Sequence, residues 1–142
     1  MKKLWLGLMA IFASTALFAA TNGEGINFQE NTTLAKVIEL AGKENKYVFV
    51  DCYATWCGPC KRMANEVFTQ KKVGDFFNKQ FVSIAIDMEK GEGPEVAKKY
   101  GIKAYPTFLI MDKTGKLIGT IVGGDSADSF IAKVQRIIDA AK

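Results

Sequence analysis

The sequence predicts an α/β domain in which helices flank a central mixed β-sheet, with an antiparallel strand pair and a helix at the C-terminal end. Three observations predict this class. Short runs of β-branched and aromatic residues alternate with helical patterns, a tight turn joins the last two such runs, and an apolar stripe of helical period ends the chain. The 142 residues, 49% of them hydrophobic, suffice for one core and therefore one domain.

The first twenty residues have the layout of a secretory signal. A basic Met-Lys-Lys start precedes an almost entirely apolar segment, Leu4 to Ala20, and the sequence then turns polar. An uncleaved membrane anchor is the alternative, but this segment is shorter than the roughly 20 residues that a span needs. We expect residues 1–20 to be a cleaved signal peptide and residues 21–142 to be the exported, periplasmic domain, without stable membrane insertion.

The charge pattern argues against nucleic-acid binding. Without Lys2 and Lys3, the 19 basic residues become 17 against 15 acidic ones, and the charges are scattered instead of forming a basic stripe. Export implies an oxidising compartment, but three cysteines are too few for a dense disulfide framework. The cysteines are therefore not the scaffold of the fold.

The first half of the domain reads as helix, strand and helix. Apolar residues recur at helical spacing over 34–41, behind several residues that can cap a helix. The run 47–53, Tyr-Val-Phe-Val-Asp-Cys-Tyr, lacks clean alternation and is typical of a central strand buried on both faces. From Cys60 to Val67 the apolar period is helical again. Cys57 is therefore predicted to open a helix, with Cys60 one turn inside it.

The second half continues the alternation and then closes the sheet. The turn residues of 112–115 separate the last two strands. We predict, in chain order, a helical face at Val73–Phe77, a strand at Phe81–Ile86, a short helix at Pro94–Tyr100, strands at Thr107–Met111 and Leu117–Val122, and an amphipathic helix at Phe130–Ala141.

Cys57 and Cys60 have a spacing that fits half of a zinc site, a structural staple or a redox pair. Zinc generally takes four nitrogen or sulfur ligands, whereas this chain has no histidine and only Cys52 as a further thiol. A disulfide across so few residues removes little unfolded-state entropy, which weakens the staple. Residues three apart on a helix have Cβ atoms about 5–6 Å apart, so the pair can close a disulfide. We favour a redox pair and expect no metal or cofactor.

The two sulfurs are predicted to differ in reactivity. Cys57 lies at a helix start, where the positive end of the helix dipole, with Lys61 and Arg62 nearby, favours a thiolate. Cys60 is predicted to be buried. We therefore predict that Cys57 is the nucleophile and Cys60 the resolving thiol. Gly58-Pro59 restrains the turn between them, because proline fixes φ in the first turn of a helix.

Two segments carry a resemblance to a known family. DCYATWCGPCK at 51–61, followed by YGIKAYPTF at 100–108, resembles the thioredoxin family, and the order of elements from Ile26 onwards is similar throughout. The resemblance implies the thioredoxin fold. The segment 72–87 is more similar to exported thioredoxin-like domains, including those of membrane disulfide reductases, than to cytosolic thioredoxin.

The resemblance also implies a substrate groove. Pro106 would be cis and would face the redox pair, although an X–Pro bond without this context is usually trans. Tyr105 would offer backbone groups to an extended substrate, and Trp56 would form a rim over the Cys57 sulfur instead of merely packing. The implied substrate-binding residues are Trp56, Gly58, Pro59, Tyr105, Pro106, Val122 and Gly123.

Asp51 matches the buried aspartate of the family, which implies a proton acceptor for Cys60. A carboxylate in an apolar strand is expected to be protonated, wetted or paired, and the alternative is a strand-end Asp that bonds nearby backbone. Two residues depart from the family. Ser83 occupies a position where the family often has a lysine that faces this aspartate. Asn65 lies near a position where the family often has a proline that kinks the helix, so we expect a straighter helix here. Cys52 is expected to be a small buried hydrophobe.

The expected activity is reduction of protein disulfides through a mixed disulfide on Cys57 that Cys60 resolves. Gly58-Pro59 is similar to the reducing members of the family, whereas oxidising relatives usually carry histidine there. A reductase in an oxidising compartment needs electrons, which implies a transmembrane thiol donor beside the disulfide-bearing substrates. The alternatives are an oxidase, an isomerase or a non-catalytic binding module. The chain has no room for the dimerisation domain of isomerases, and we expect a monomer.

Overall fold

The computed structural model describes residues 23–142, so the predicted signal peptide lies outside the described residues. Within this range, four strands form one mixed sheet in the order β2-β1-β3-β4. Strand β1 pairs parallel with β2 and antiparallel with β3, and β3 pairs antiparallel with β4. The strands are β1 (Tyr47–Tyr53), β2 (Phe81–Asp87), β3 (Thr107–Met111) and β4 (Leu117–Val122). The predicted mixed sheet with its antiparallel C-terminal pair is confirmed.

Five helices accompany the sheet in the described part of the chain, and four of them follow the apolar periods of the sequence closely. The Thr33 hydroxyl caps the first by accepting a hydrogen bond from the Lys36 amide (3.3 Å), and the Ser126 hydroxyl caps the last. The helices are α1 (Leu34–Glu44), α2 (Gly58–Arg62), α3 (Lys71–Gln80), α4 (Gly93–Tyr100) and α5 (Ala127–Ala140).

Side chains pack on both faces of the sheet, because β1 is central and its interior residues are buried. On one face Phe49 lies at the centre of an aromatic cluster, with its ring centroid 4.6 Å from that of Phe77. The other face packs aliphatic residues, and Cys52 lies among them with no exposed surface. Cys52 is therefore the small buried hydrophobe that the sequence indicates.

The helix that follows Cys60 departs from regular α-helical geometry around Asn65. Helix α2 continues as a π-helical turn over Met63–Val67, in which the Phe68 amide donates to the Met63 carbonyl (2.8 Å). The i to i+5 geometry brings Phe68 to the same side as Met63 and Val67, and all three are buried. The straighter helix stays a prediction; the feature that the sequence did not indicate is this π-helical turn, from which Phe68 packs into the aromatic cluster.

An N-terminal segment, residues 23–32, extends the sheet edge in a way that the sequence pattern did not indicate. The Ile26 amide donates to the Phe68 carbonyl (2.8 Å), and the Gln29 amide donates to the Ser83 carbonyl of β2 (2.8 Å). Phe28 forms an isolated parallel bridge with Ser83. The segment is thus tied both to the end of the π-helical turn and to the edge strand.

Among residues 23–142, none of the helices combines the length and the apolar character needed to cross a membrane.

Candidate active site

The redox pair lies where β1 ends and α2 begins. Cys57 is the N-cap residue of α2, with extended backbone angles, and its sulfur accepts a hydrogen bond from the Cys60 amide (3.2 Å). The two cysteines form a disulfide with their Cα atoms 5.3 Å apart. Pro59 occupies the first turn of the helix, where its missing amide hydrogen leaves no acceptor unpaired. This arrangement is the one that the Cys57-to-Cys60 pattern predicted.

Burial does not distinguish the two sulfurs in the disulfide form. Cys57 is 4% exposed and Cys60 is 5% exposed. What distinguishes them is position, because only the Cys57 sulfur lies at the helix N-terminus and accepts a main-chain hydrogen bond there. Such a contact stabilises a thiolate, which supports Cys57 as the attacking group.

A cis peptide bond precedes Pro106, as the family resemblance implies. Pro106 is buried, and its carbonyl accepts a hydrogen bond from the Gly123 amide (2.8 Å). The Tyr105 side chain packs against the small cluster that contains Cys57 and Cys60. Tyr105 and Pro106 directly precede β3 and Gly123 directly follows β4, so this hydrogen bond joins the two strand ends beside the redox pair that Tyr105 contacts.

Two exposed side chains flank this surface, which we call the substrate groove and define as Trp56, Tyr105, Pro106, Val122 and Gly123. Trp56 is 66% exposed and Val122 is 64% exposed, more than any other large apolar residue among residues 23–142. The Trp56 ring stands edge-on to Tyr105, with centroids 5.8 Å apart. Gly58 and Pro59, which lie between the two cysteines, are both exposed.

Glu89 is a contact of the site that sequence analysis missed. The Trp56 indole nitrogen donates a hydrogen bond to the Glu89 carboxylate (2.7 Å), across 33 residues of sequence. This bond orients a ring that is otherwise held by one aromatic contact. No local pattern marks Glu89, since it lies in a charged turn after β2 that is typical of solvent-exposed residues.

Asp51 lies on the same face of β1 as Phe49 and is 5% exposed. Its Oδ1 has no hydrogen-bond partner among residues 23–142, so it is not a strand-end Asp bonded to backbone. Burial raises the pKa of the Asp51 carboxyl from 3.8 to about 7. A carboxyl group with such a pKa can accept or release a proton at neutral pH.

Ser83 lies diagonally across from Asp51 on the neighbouring strand. The register pairs Ser83 with Phe49 and pairs Asp51 with Ala85, so all four side chains share one face. The Ser83 hydroxyl is buried and has no hydrogen-bond partner among the described residues. It therefore leaves Asp51 without the cationic partner that the family often places at this position.

Cys52 is the free thiol of the described chain and is a poor nucleophile. Burial, with the neighbouring Asp51 adding to it, raises the pKa of the Cys52 thiol to about 12. Within residues 23–142, no three cysteine or acidic side chains converge in a way that could hold a metal ion.

The comparisons with known proteins agree with this geometry. The family model described as Thioredoxin matches residues 26–136. Thioredoxin-2 of Pyricularia oryzae is 36% identical over 110 residues, which are 78% of this chain and 57% of that protein. The chain thus spans little more than half the length of this relative.

Two solved structures extend the likeness to proteins of similar length. A Bacteroides thetaiotaomicron protein, provisionally described as a disulphide-isomerase, is 44% identical, with a TM-score of 0.72 over 80% of this chain and 93% of that one. The C-terminal domain of DsbD from Neisseria meningitidis, in its oxidised form, is 28% identical, with a TM-score of 0.63 over 77% of this chain and 97% of that one. The chain therefore belongs to the thioredoxin family, and Cys57 and Cys60 form the disulfide of its candidate active site.

Proposed function

We propose that this protein reduces disulfide bonds in exported proteins. The observation that carries the proposal is the position of Cys57, at the N-cap of α2 and beside the Tyr105 side chain, which the exposed Trp56 ring contacts. In the reduced enzyme the Cys57 thiolate attacks one substrate sulfur, forms a mixed disulfide and releases the other substrate sulfur as a thiolate. The Cys60 amide, which bonds the Cys57 sulfur, stabilises the attacking form.

Cys60 completes the reaction. Its proton passes to Asp51, and its sulfur then attacks the Cys57 sulfur, forming the Cys57–Cys60 disulfide and releasing the second substrate thiolate. The substrate gains two electrons and the enzyme pair loses two. Asp51 suits this role because its carboxyl has a pKa of about 7 and it lines the same cleft as Cys60.

The direction of the reaction rests on the residues between the cysteines. Gly58 and Pro59 contain no titratable group, so no histidinium between the cysteines adds to the stabilisation of the thiolate. A less stabilised thiolate makes the reduced pair a better electron donor. The likeness to a provisional disulphide-isomerase supports isomerisation as a second candidate, with the same two cysteines.

The equilibrium of the Cys57–Cys60 pair with glutathione tests the direction. A potential near that of thioredoxin, about −270 mV, supports a reductase. A potential near −180 mV, roughly that of protein disulfide isomerase, favours isomerisation instead. A value near the oxidising end of the family, about −120 mV, overturns the proposed direction.

We also propose that residues 1–20 are removed on export and that a transmembrane thiol donor re-reduces the pair. The basic, apolar and then polar N-terminal sequence supports the first part. The second follows from chemistry, since an oxidising compartment does not supply the two electrons that each turnover consumes. N-terminal sequencing of the protein from fractionated cells tests export, and a start at Met1 in the cytosolic fraction contradicts it.

A binding module without turnover is the remaining alternative for the substrate groove. The two models differ in their dependence on the sulfur of Cys57. If Cys57→Ser abolishes partner capture, binding proceeds through the mixed disulfide. If Cys57→Ser leaves partner binding unchanged, the groove acts without redox chemistry and the proposed reductase is wrong.

A further inference from the structure

A second opening reaches the active site along the β2 side of β1. A cleft of about 900 Å³ lies between the N-terminal segment, the end of β2 and helix α2. Both Asp51 and Cys60 line it. The described residues that line the cleft include neither Cys57 nor any residue of the substrate groove. The two cysteines thus face different surfaces, and Asp51 is on the side of Cys60.

Ala85 is the position on β2 that opens this cleft toward Asp51. Its neighbours Ile84 and Ile86 are buried, whereas Ala85 is exposed, and it lines the cleft directly opposite Asp51 in the register of the sheet. Paired residues on parallel strands project to the same face, so the Ala85 methyl group lies beside the carboxyl group. A larger side chain at Ala85 would cover Asp51.

The Asp51 carboxyl group lines this cleft, and one of its oxygens is buried without a partner. Its Oδ1 lacks a hydrogen-bond partner among residues 23–142, although the group is only 5% exposed. A buried carboxyl group without a partner is costly unless solvent or a proton reaches it. The cleft is the nearest structural feature that could supply either.

We propose that the cleft is the route by which a proton leaves Asp51 for solvent, and that Ala85 is the positioning residue that keeps this route open. The inference rests on the proposed function, in which Asp51 takes the Cys60 proton. While a substrate is joined to Cys57, it covers the groove. Asp51 must then exchange protons with solvent through the cleft. If it is protonated, it loses that proton before it can accept the one from Cys60, and it later releases the Cys60 proton by the same route.

The groups around Asp51 allow this exchange without competing for the proton. On its own face, Phe108 of β3 is apolar, and the nearest titratable neighbours that line the cleft are Tyr53 and Cys60. The remaining titratable groups along the cleft lie at partly or fully exposed positions, with acidic residues in excess: Glu24, Glu30, Lys61, Asp87, Lys90 and Glu92. This acidic excess favours the departure of a proton toward solvent.

The test compares Ala85→Leu with Thr120→Leu, a matched change at an exposed position of the other edge strand, β4. Stopped-flow fluorescence follows attack by Cys57 and resolution by Cys60 as separate steps between pH 6 and 8.5. At pH 6 we expect Ala85→Leu to slow resolution about tenfold, as for a pKa rise of about one unit in Asp51. At pH 8.5, where Asp51 is ionised, we expect little change, and Thr120→Leu leaves both steps unchanged at every pH.

The same substitution in an Asp51→Asn background separates a proton route from a structural effect. Because this background lacks the Asp51 carboxyl group, the proposal predicts that Ala85→Leu does not slow resolution by Cys60 any further. Equal slowing in both backgrounds, or an unchanged pH profile in folded Ala85→Leu, overturns it. Should Ala85→Leu fail to fold, Ala85→Val gives the same comparison with a smaller expected shift. If the wild-type protein does not exchange disulfides at all, the proposed function fails, and this result is distinct from a failure at Ala85.

Discussion

A carboxyl group buried in the sheet makes the stability of this protein depend on pH. The pKa of Asp51 is about 7 in the folded chain, against 3.8 ordinarily. Well below pH 3.8 the Asp51 carboxyl is protonated in both the folded and the unfolded chain, so its burial places no charge in the interior. As the pH rises toward 7, the unfolded carboxyl ionises while the folded one stays protonated, so the unfolding free energy falls. The loss is about 1.4 kcal/mol per pKa unit, or about 4 kcal/mol in all as an upper bound.

Replacement of Asp51 by Asn is therefore expected to stabilise the protein at high pH only. At pH 8 the gain in unfolding free energy is about 2–4 kcal/mol, because the variant has no carboxyl to ionise on unfolding. At pH 4 the gain disappears. Urea denaturation at both pH values measures this, with exposed Asp139→Asn as the control. A gain of equal size at pH 4 and pH 8 would show that the effect is one of packing and not of ionisation.

Ser83→Lys tests whether the diagonal position controls the titration of Asp51. An ammonium group on the same face favours the ionised carboxyl, so we expect the pKa of Asp51 to fall by at least one unit or so. Carboxyl-carbon NMR across a pH series measures the shift. Ser83→Met, similar in length but uncharged, is the control and is expected to leave the pKa raised. If Ser83→Lys folds and the pKa of Asp51 stays near 7, the ammonium group does not lie near the carboxyl and position 83 does not control its titration.

At the scale of elements, the helices and strands could be predicted because each follows one apolar period. The interior of β1 is buried on both faces, and its run of residues shows no alternation for that reason. The π-helical turn could not be predicted, since it depends on where Phe68 packs in the aromatic cluster. The attachment of the N-terminal segment could not be predicted either, because the residues that it bonds lie more than forty positions away in the sequence.

That attachment depends on a close approach between Gly25 and Gly74 of α3. A Cβ atom at Gly74 would overlap with the Glu24 carbonyl oxygen and would lie 2.6 Å from that of Gly25. Alanine usually favours a helix over glycine by about 1 kcal/mol, but here we expect Gly74→Ala to destabilise by about 2–3 kcal/mol. Urea denaturation measures the change. Gly23→Ala, which meets no neighbouring atom within 4 Å, is the control and should be close to neutral; a stabilised Gly74→Ala would mean that the segment detaches freely.

At the scale of the whole molecule, the sheet places two surfaces around the end of β1. The groove lies toward β3 and β4, where Pro106 and Gly123 meet, and the cleft lies toward the β2 edge, where Ala85 faces Asp51. The residues of the groove were predicted from the family resemblance, which the segments 51–61 and 100–108 carry. The cleft and the Glu89 contact arise only when distant segments come together, so no pattern in the sequence marked them.

This division predicts how each cysteine variant behaves toward partner proteins. Cys60→Ser is expected to trap substrates as stable mixed disulfides, because Cys57 still attacks from the groove side while no resolving sulfur remains on the cleft side. Non-reducing gels and mass spectrometry of the captured proteins measure the trapping.

Cys57→Ser is the matched control and should trap few or none of these partners. Cys52→Ser is a second control and should behave as the wild type, since its thiol is buried on the other face and has a pKa of about 12. Capture of the same partners by Cys57→Ser would mean that the groove presents them to Cys60, and the roles of the two sulfurs would be reversed.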